Sequence, residues 1–243
     1  MRSGNPVLTD KAFRIEGAYS EKMTIDGVVN KSLLMLGLVL LSAYWIWSQY
    51  YETLSFANIS LYLLVGLLGG FIVAIVTVFK PNIANITAPI YAILEGLVLG
   101  GISAFMETRY PGIVIQAVSL TFLIFFTLLA IYKTEVIKVT ENFKLMVVSA
   151  TGGIALLYFL NIILSIFGFD LPFIHDGGLF GIIFSLVVVA IASMNLVLDF
   201  DFIESGAEKG APKYMEWYAS FGLMVTLIWL YLEILRLLSK ARR

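Results

Sequence analysis

Residues 194–204, MNLVLDFDFIE, place acidic side chains at the end of a long apolar run. Asp199 and Asp201 come where this run should leave the membrane, and Glu204 follows one helical turn later. A carboxylate at or near hydrocarbon depth is energetically costly, and it is therefore rare unless it has a function. The stretch predicts a membrane-spanning helix that carries functional acids.

The composition of the whole chain is that of a membrane protein. Of its 243 residues, 60% are hydrophobic and only 14% are charged, and the mean hydropathy is +0.92. Soluble domains carry about 25% charged residues. The net charge of −1 offers no basic surface for nucleic acid. We therefore expect an all-α membrane protein whose first partner is the lipid bilayer.

The chemistry available to an enzyme is limited in this chain. It has no cysteine and a single histidine, His175, which excludes disulfides, thiolate metal sites and multi-histidine metal sites. The sequence contains no HExxH, P-loop or GxSxG pattern. We expect a protein that is not an enzyme and that carries no cofactor.

Seven runs of the sequence are long and apolar enough to cross a membrane, which takes about 20 residues. They are residues 31–49, 56–79, 86–106, 112–132, 145–168, 178–200 and 215–238. Residues 1–27 are polar and lack the apolar core of a signal peptide. We expect a polar amino-terminal segment, 1–27, and a single seven-helix transmembrane domain, 28–243, in a bundle.

The distribution of Lys and Arg indicates the orientation of the chain. With the amino terminus in the cytoplasm, the loops on the outer side hold only Arg109 among the basic residues. Seven spans place the carboxyl end outside, although residues 236–243 contain four basic residues. The alternative is six spans and a final segment that enters the membrane without crossing it. We expect a multi-pass protein of the cytoplasmic membrane with a cytoplasmic amino terminus.

Glycines at four-residue steps predict close helix packing in the second and third spans. Gly66 and Gly70 form one GxxxG pattern, and Gly96 and Gly100 form another. Such positions let helix backbones approach each other in a membrane, where no hydrophobic effect drives association.

Glu95 is the deepest acid of the sequence, near the middle of the third span. One interpretation is a proton- or cation-responsive group that faces the interior of the bundle. The other is a structural carboxyl group that is hydrogen-bonded to a neighbouring helix. An intramembrane acid is a functional hypothesis by default.

The two aspartates of the sixth span differ in their predicted surroundings. Two residues apart on a helix, Asp199 and Asp201 point about 200° away from each other and do not form one chelating pair. We expect Asp199 to be buried, and Asp201 to be solvated at the end of the helix together with Glu204.

The last span carries two further acids. Glu216 opens this span and is expected at the membrane depth of Asp199, where two carboxyl groups would share a proton and act as a pH switch. Glu233 lies too far along the helix to join them. Its expected partner is Arg236, three residues later on the same face.

Five stretches of the chain have a familiar pattern: MTIDGVVNKS (23–32), APIYAILEGLVLGGISAFME (88–107), YPGIVIQA (110–117), LDFDFIESGAEKGAPKYMEWYASFGL (198–223) and WLYLEILRLL (229–238). Together they resemble the bacterial branch of the Bax inhibitor-1 family, small membrane proteins that share the transmembrane Bax-inhibitor motif. The resemblance implies a helical bundle around a central seventh helix. It also implies a pH-sensitive calcium leak that is gated by two aspartates, one on each of the last two helices.

The match to the family's residues is partial. Asp199 matches the sixth-helix aspartate of the family's D-x-x-x-I pattern, with Ile203 as the isoleucine. Thr226 stands at the position of the seventh-helix aspartate, and the second span, 56–79, lacks the family's basic residue. Either Glu216, Glu95 or Asp201 takes the place of the missing aspartate, or the channel activity is lost.

The resemblance and the residues together predict a channel that leaks cations, with calcium as the permeant ion, under proton control. Asp199 is the predicted gate or pH sensor, with Glu95 and Glu216 as supporting acids. Calcium takes six to eight oxygen ligands, so we expect only weak, transient calcium binding at Asp199. The alternative is a non-conducting regulator that binds a membrane protease or another membrane protein.

The predicted orientation can be tested by labelling, because the chain has no cysteine of its own. A cysteine introduced at Ser3 or at Thr140 should resist an impermeant thiol reagent in intact cells and should react after permeabilisation. Labelling of either position in intact cells would contradict the cytoplasmic placement of the amino terminus and of the 133–144 loop.

Overall fold

A computed structural model describes residues 21–169 and 178–242, and over these residues the chain forms seven long α-helices and no β-sheet. The helices are α1 (Ile25–Thr53), α2 (Phe56–Phe79), α3 (Ala84–Arg109), α4 (Ile113–Lys133), α5 (Glu141–Ile166), α6 (Leu179–Glu208) and α7 (Met215–Ala241). All seven are long and apolar enough to cross a membrane. The predicted class, an all-α membrane protein with seven spans, is confirmed. His175 lies outside the described residues.

The first helix begins earlier than its apolar run predicted. Helix α1 starts at Ile25, before the predicted start of the run at residue 31 and inside the predicted polar segment 1–27. The Thr24 side chain accepts a hydrogen bond from the N–H of Gly27 and caps the helix, and Asp26 lies in its first turn. Both features stabilise a helix start, so polar residues form the first turn of this helix.

The sixth helix ends later than predicted. Helix α6 continues to Glu208, beyond the predicted end at residue 200. Asp199 and Asp201 therefore lie inside the helix, and the prediction that it ends near residue 200 is wrong. Hydropathy marks where a helix leaves the hydrocarbon, whereas backbone hydrogen bonding continues into the interfacial region.

The helices contribute to two compact units. The amino-terminal unit contains α1, α2 and α3 together with residues 202–225. The carboxyl-terminal unit contains α4 and α5, residues of α6 up to Asp201, and α7 from Thr226 onward. Helices α6 and α7 thus provide residues to both units.

In the amino-terminal unit, α3 packs against both α1 and α2. An added Cβ at Gly96 would lie 2.5 Å from the carbonyl oxygen of Val39, and one at Gly100 would lie 2.6 Å from the Cα of Ala43. The backbones of α1 and α3 are therefore in direct contact in the middle parts of both helices. Only glycine on α3 permits this distance.

Helix α2 contacts α3 along a narrow seam. An added Cβ at Gly66 would lie 2.7 Å from the carbonyl oxygen of Leu94. The spacing of the buried residues follows the seven-residue repeat of coiled coils. These residues are Ile59, Gly66, Gly70 and Thr77. The other faces of α2 expose large apolar side chains, which suit contact with lipid.

The last helix is the most buried of the seven described helices. In its most apolar 18-residue window, 61% of the residues are buried, whereas the corresponding value for α1, α2, α4 and α5 is 17%. Burial of this extent requires packing by protein over most of the helix surface. A central position of α7 within the bundle stays a prediction, as does the assignment of 28–243 to a single domain.

The close approach of α1 and α3 predicts the effect of a single methyl group. Gly100→Ala should lower the free energy of unfolding by roughly 1–3 kcal/mol, the typical effect of overpacking, because backbone atoms of α1 occupy the space. The measurement is thermal unfolding in detergent.

Gly37→Ala in α1 is the matched control, because an added Cβ there has no atom within 4 Å. We expect this variant to be as stable as the wild type or slightly more stable, since alanine favours the helix. Equal stability of the two variants would contradict the direct backbone contact.

Candidate functional site

Asp199 is completely buried within α6, with an exposed fraction of 0%. The neighbouring Phe200 packs against Phe125 and Tyr132 of α4, with ring centroids 5.5 Å and 5.8 Å apart. The predicted burial of Asp199 is confirmed. Its role as gate or pH sensor stays a prediction.

Asp201 forms an ion pair that the sequence analysis missed. Its carboxylate lies 2.9 Å from Nζ of Lys144 on α5, and Lys144 itself is only 5% exposed. Glu141 is a second, more distant partner of Lys144 at 3.6 Å. The prediction that Asp201 is a solvated helix end is wrong, because a buried ammonium group requires a counter-charge within the protein.

Glu216 accepts hydrogen bonds from the start of α1. The backbone N–H and the hydroxyl group of Thr24 each donate to its Oε1 at 3.0 Å, and Nζ of Lys31 binds its Oε2. A Cβ on Gly27 would overlap this carboxylate, so the site depends on a glycine. Lys31 also lies over the ring of Trp217, 5.5 Å from its centroid. This site combines a cation, a hydroxyl group and a backbone amide around one acid.

Sequence reasoning predicted neither Thr24 nor Lys31 as a partner of Glu216. The two residues lie about 190 positions away in the chain, so no local pattern indicates the contact. A proton shared between Glu216 and Asp199 stays a prediction.

The backbone reinforces the attachment of Glu216. The N–H of Met23 donates to the carbonyl of Ala211 at 2.7 Å, and the N–H of Lys213 donates to the carbonyl of Glu21 at 3.2 Å. The side chains of Lys213 and Glu21 also pair at 2.6 Å. Hydrogen bonding to the Glu21 carboxylate holds the pKa of Lys213 above its usual value. The segment before α1 is thereby fixed to the turn between α6 and α7.

We call this set of contacts, between residues 21–31 and residues 211–220, the terminal latch. Its last member is Ser220, whose hydroxyl group lies 3.0 Å from the carbonyl oxygen of Val28 and is buried. The latch joins residues of two stretches that carry the family resemblance, 23–32 and 198–223.

Glu233 has the partner that the sequence predicted. Nη1 of Arg236 lies 2.9 Å from its Oε1, and the carboxylate is almost completely buried. The hydroxyl group of Tyr158 on α5 donates to the same oxygen at 3.0 Å. The Glu233–Arg236 pair is confirmed, and Tyr158 adds a contact 75 residues away that a local pattern cannot indicate.

Glu95 lies in the seam between α2 and α3. An added Cβ at Gly70 would be 3.0 Å from its Oε1, so the carboxyl group occupies space that Gly70 leaves open. The Tyr91 side chain, one turn earlier on α3, lies beside the Glu95 carboxyl group and interacts with it electrostatically. The ring of Tyr91 packs edge-to-face on Phe221, with centroids 4.9 Å apart. A position between two helices is compatible with both interpretations of Glu95, a proton- or cation-responsive group and a structural carboxyl group.

The acids are not clustered for tight metal binding. Within residues 21–169 and 178–242, no group of three or more Asp, Glu or His side chains could hold a metal ion. Calcium takes six to eight oxygen ligands. Weak calcium binding at Asp199 stays a prediction.

These features define a polytopic membrane protein whose spans carry acids at helix interfaces, several of them paired with a cation or a hydroxyl group. The chain belongs to the Bax inhibitor 1 like family, whose family model matches residues 5–243. No curated protein and no solved structure matches the chain. The match over nearly the whole length confirms the family that the sequence resembles.

The terminal latch predicts a large effect of removing its carboxylate. Glu216→Ala leaves Lys31 and the N–H of Thr24 without this acceptor. Breaking a buried pair on one side typically costs about 3–5 kcal/mol. Because Lys31 is partly exposed, we expect a loss at the lower end of this range. The measurement is thermal unfolding in detergent.

Glu21→Ala is the control, because it removes an acid from the same latch whose side chain is 65% exposed. Exposed ion pairs contribute little to stability, so this variant should unfold close to the wild-type temperature. If Glu216→Ala were equally stable, Glu216 would not hold α1.

Proposed function

We propose that this protein is a cation leak of the cytoplasmic membrane, with calcium as the permeant ion, and that protons control its opening. The observation that carries the proposal is the complete burial of Asp199 in a membrane-spanning helix. An ionisable residue inside a membrane protein marks ion pathways and proton relays. Membership of the Bax inhibitor 1 like family supports the same function.

Protonation of Asp199 is the proposed switch. The carboxyl group is neutral when protonated and negative when ionised. In a low-dielectric surrounding, this change of charge strongly alters the interaction energy with a nearby cation. An ionised Asp199 attracts a cation into the path, whereas a protonated Asp199 does not. One carboxylate supplies few of the ligands that calcium requires, so the ion binds weakly and leaves again.

The proposed switch uses one aspartate on α6, without a second aspartate on α7. Thr226, which stands at the family's second aspartate position, is buried in the carboxyl-terminal unit. Its hydroxyl group offers an oxygen ligand but no charge. Asp201 is paired with Lys144 and Glu216 with Lys31, and a paired acid is a poor replacement. Glu95 is therefore the first proposed supporting acid, and Glu216 is the second.

The proposal predicts the pH dependence of calcium flux into liposomes that contain the purified protein. Asp199→Asn keeps the size of the side chain and removes the ionisation. Flux through this variant should not vary with pH between mildly acidic and neutral conditions, whereas wild-type flux should vary. A wild-type pH profile for Asp199→Asn would place the sensor at another acid.

The control must remove an acid of α6 that has no role in packing. Glu208→Gln meets this requirement, because Glu208 is exposed at the end of the helix, and its flux profile should equal that of the wild type. Asp201→Asn is unsuitable, since it removes the counter-charge of Lys144. If the wild type showed no flux at any pH, the non-conducting regulator that binds a membrane-protein partner would be favoured.

A further inference from the structure

A stripe of polar side chains follows α3 from its first turn to the middle of the helix. Thr87, Tyr91 and Glu95 are spaced four residues apart, so they lie one above the other with a small rotation at each turn. The next residue of the stripe is Leu99, which is apolar and buried. The polar stripe therefore begins at the α2–α3 turn and ends at Glu95.

Two buried hydroxyl groups meet at the start of this stripe. Oγ1 of Thr77 on α2 lies 2.7 Å from Oγ1 of Thr87, and both residues are buried. Oγ1 of Thr77 also lies 2.8 Å from the carbonyl oxygen of Val73. A hydroxyl group has one proton and two lone pairs, so Thr77 can donate to only one of these two acceptors at a time. Such a group can exchange its hydrogen-bond partner, which is what a proton relay requires.

The carboxyl group of Glu95 points back along the stripe. Side chains on a helix lean toward its amino terminus, so this group covers the turn that contains Tyr91. The electrostatic interaction between Tyr91 and Glu95 agrees with this direction. Gly70 on α2 provides the space for the carboxyl group.

Few charges surround Glu95 among the described residues. Helix α2, residues 56–79, contains no Asp, Glu, Lys, Arg or His. Helix α1 contacts α3 near Glu95 through Val39 and Ser42, at Gly96, and neither is ionisable. From residues 215–225 of α7, the apolar ring of Phe221 packs against Tyr91.

The acids of α1 and of residues 215–225 lie elsewhere in the same unit. Glu216, the acid within residues 215–225, is bound in the terminal latch by Lys31. The acids of α1 are Asp26 in its first turn and Glu52 near its end. Of the ionisable side chains named in this unit, Tyr91 is thus the one that lies beside Glu95.

We propose that Glu95 is a proton-binding site that exchanges protons with the side of the membrane on which the α2–α3 turn lies, through the hydroxyl groups of Thr77, Thr87 and Tyr91. The route requires a water molecule between the threonine pair and Tyr91. Each hydroxyl group donates one proton toward Glu95 and accepts one from the side of the α2–α3 turn. The hydroxyl groups are therefore unchanged, and the Glu95 carboxylate becomes a carboxylic acid. Leu99 closes the route toward the opposite side.

This inference rests on the proposed proton control of the protein, but it does not require calcium conduction. Protonation of Glu95 is measured on the carboxyl group itself, whereas the leak is measured as calcium flux. Either proposal can therefore fail while the other stands.

The test is infrared spectroscopy of the protein in lipid vesicles, with D₂O exchange of the protonated carboxyl group. The C=O stretching band that disappears in Glu95→Gln belongs to Glu95. Tyr91→Phe keeps the ring on Phe221 but removes the hydroxyl group, and it should slow deuterium exchange of this band at least tenfold. Thr87→Val, which has the same shape as the wild type, should slow the exchange as well.

Tyr62→Phe is the matched control, because it removes a tyrosine hydroxyl group from α2 at a partly exposed position beside Trp45. Its exchange rate should equal that of the wild type. Wild-type exchange in both Tyr91→Phe and Thr87→Val would overturn the route. The absence of any protonated-carboxyl band that depends on Glu95, at every pH, would overturn the binding site.

Discussion

Hydrocarbon cannot solvate a charge, and this constraint governs the positions of the acids in the protein. Each ionised acid in a span must find its partner within the protein. Glu216 is paired with Lys31, Asp201 with Lys144 and Glu233 with Arg236. Removing one partner of a buried pair costs far more stability than replacing both. The first two pairs join different helices and therefore restrict which helices can be neighbours, whereas Glu233 and Arg236 both lie on α7.

Glycines leave space for two acids of the spans, Glu216 and Glu95, and they also allow helix backbones to approach each other. The carboxylate of Glu216 occupies the space beside Gly27, and the carboxyl group of Glu95 occupies the space beside Gly70. The same absence of Cβ that brings α1 and α3 together thus also creates niches for polar groups. A glycine near an acid in a membrane span therefore has two explanations, close packing of backbones and accommodation of the acid.

Local patterns explain which features could be predicted from the sequence. Hydropathy reveals the seven spans, and the three-residue spacing of Glu233 and Arg236 reveals their pair, because both signals lie within one helix. The Lys31–Glu216 and Lys144–Asp201 pairs join distant parts of the chain, and a single sequence contains no signal for either. The extension of α6 past Asp201 was missed for a related reason, since a counter-charge from another helix allows an acid to stay inside the protein.

The terminal latch also has a consequence for biosynthesis. Lys31 and Glu216 are 185 residues apart, and the ribosome adds about 5–20 residues per second. The first helix therefore enters the membrane roughly 10 to 40 s before its counter-ion is synthesised. During this interval Lys31 lacks this counter-ion. The first helix therefore completes its contacts only after α7 has been synthesised.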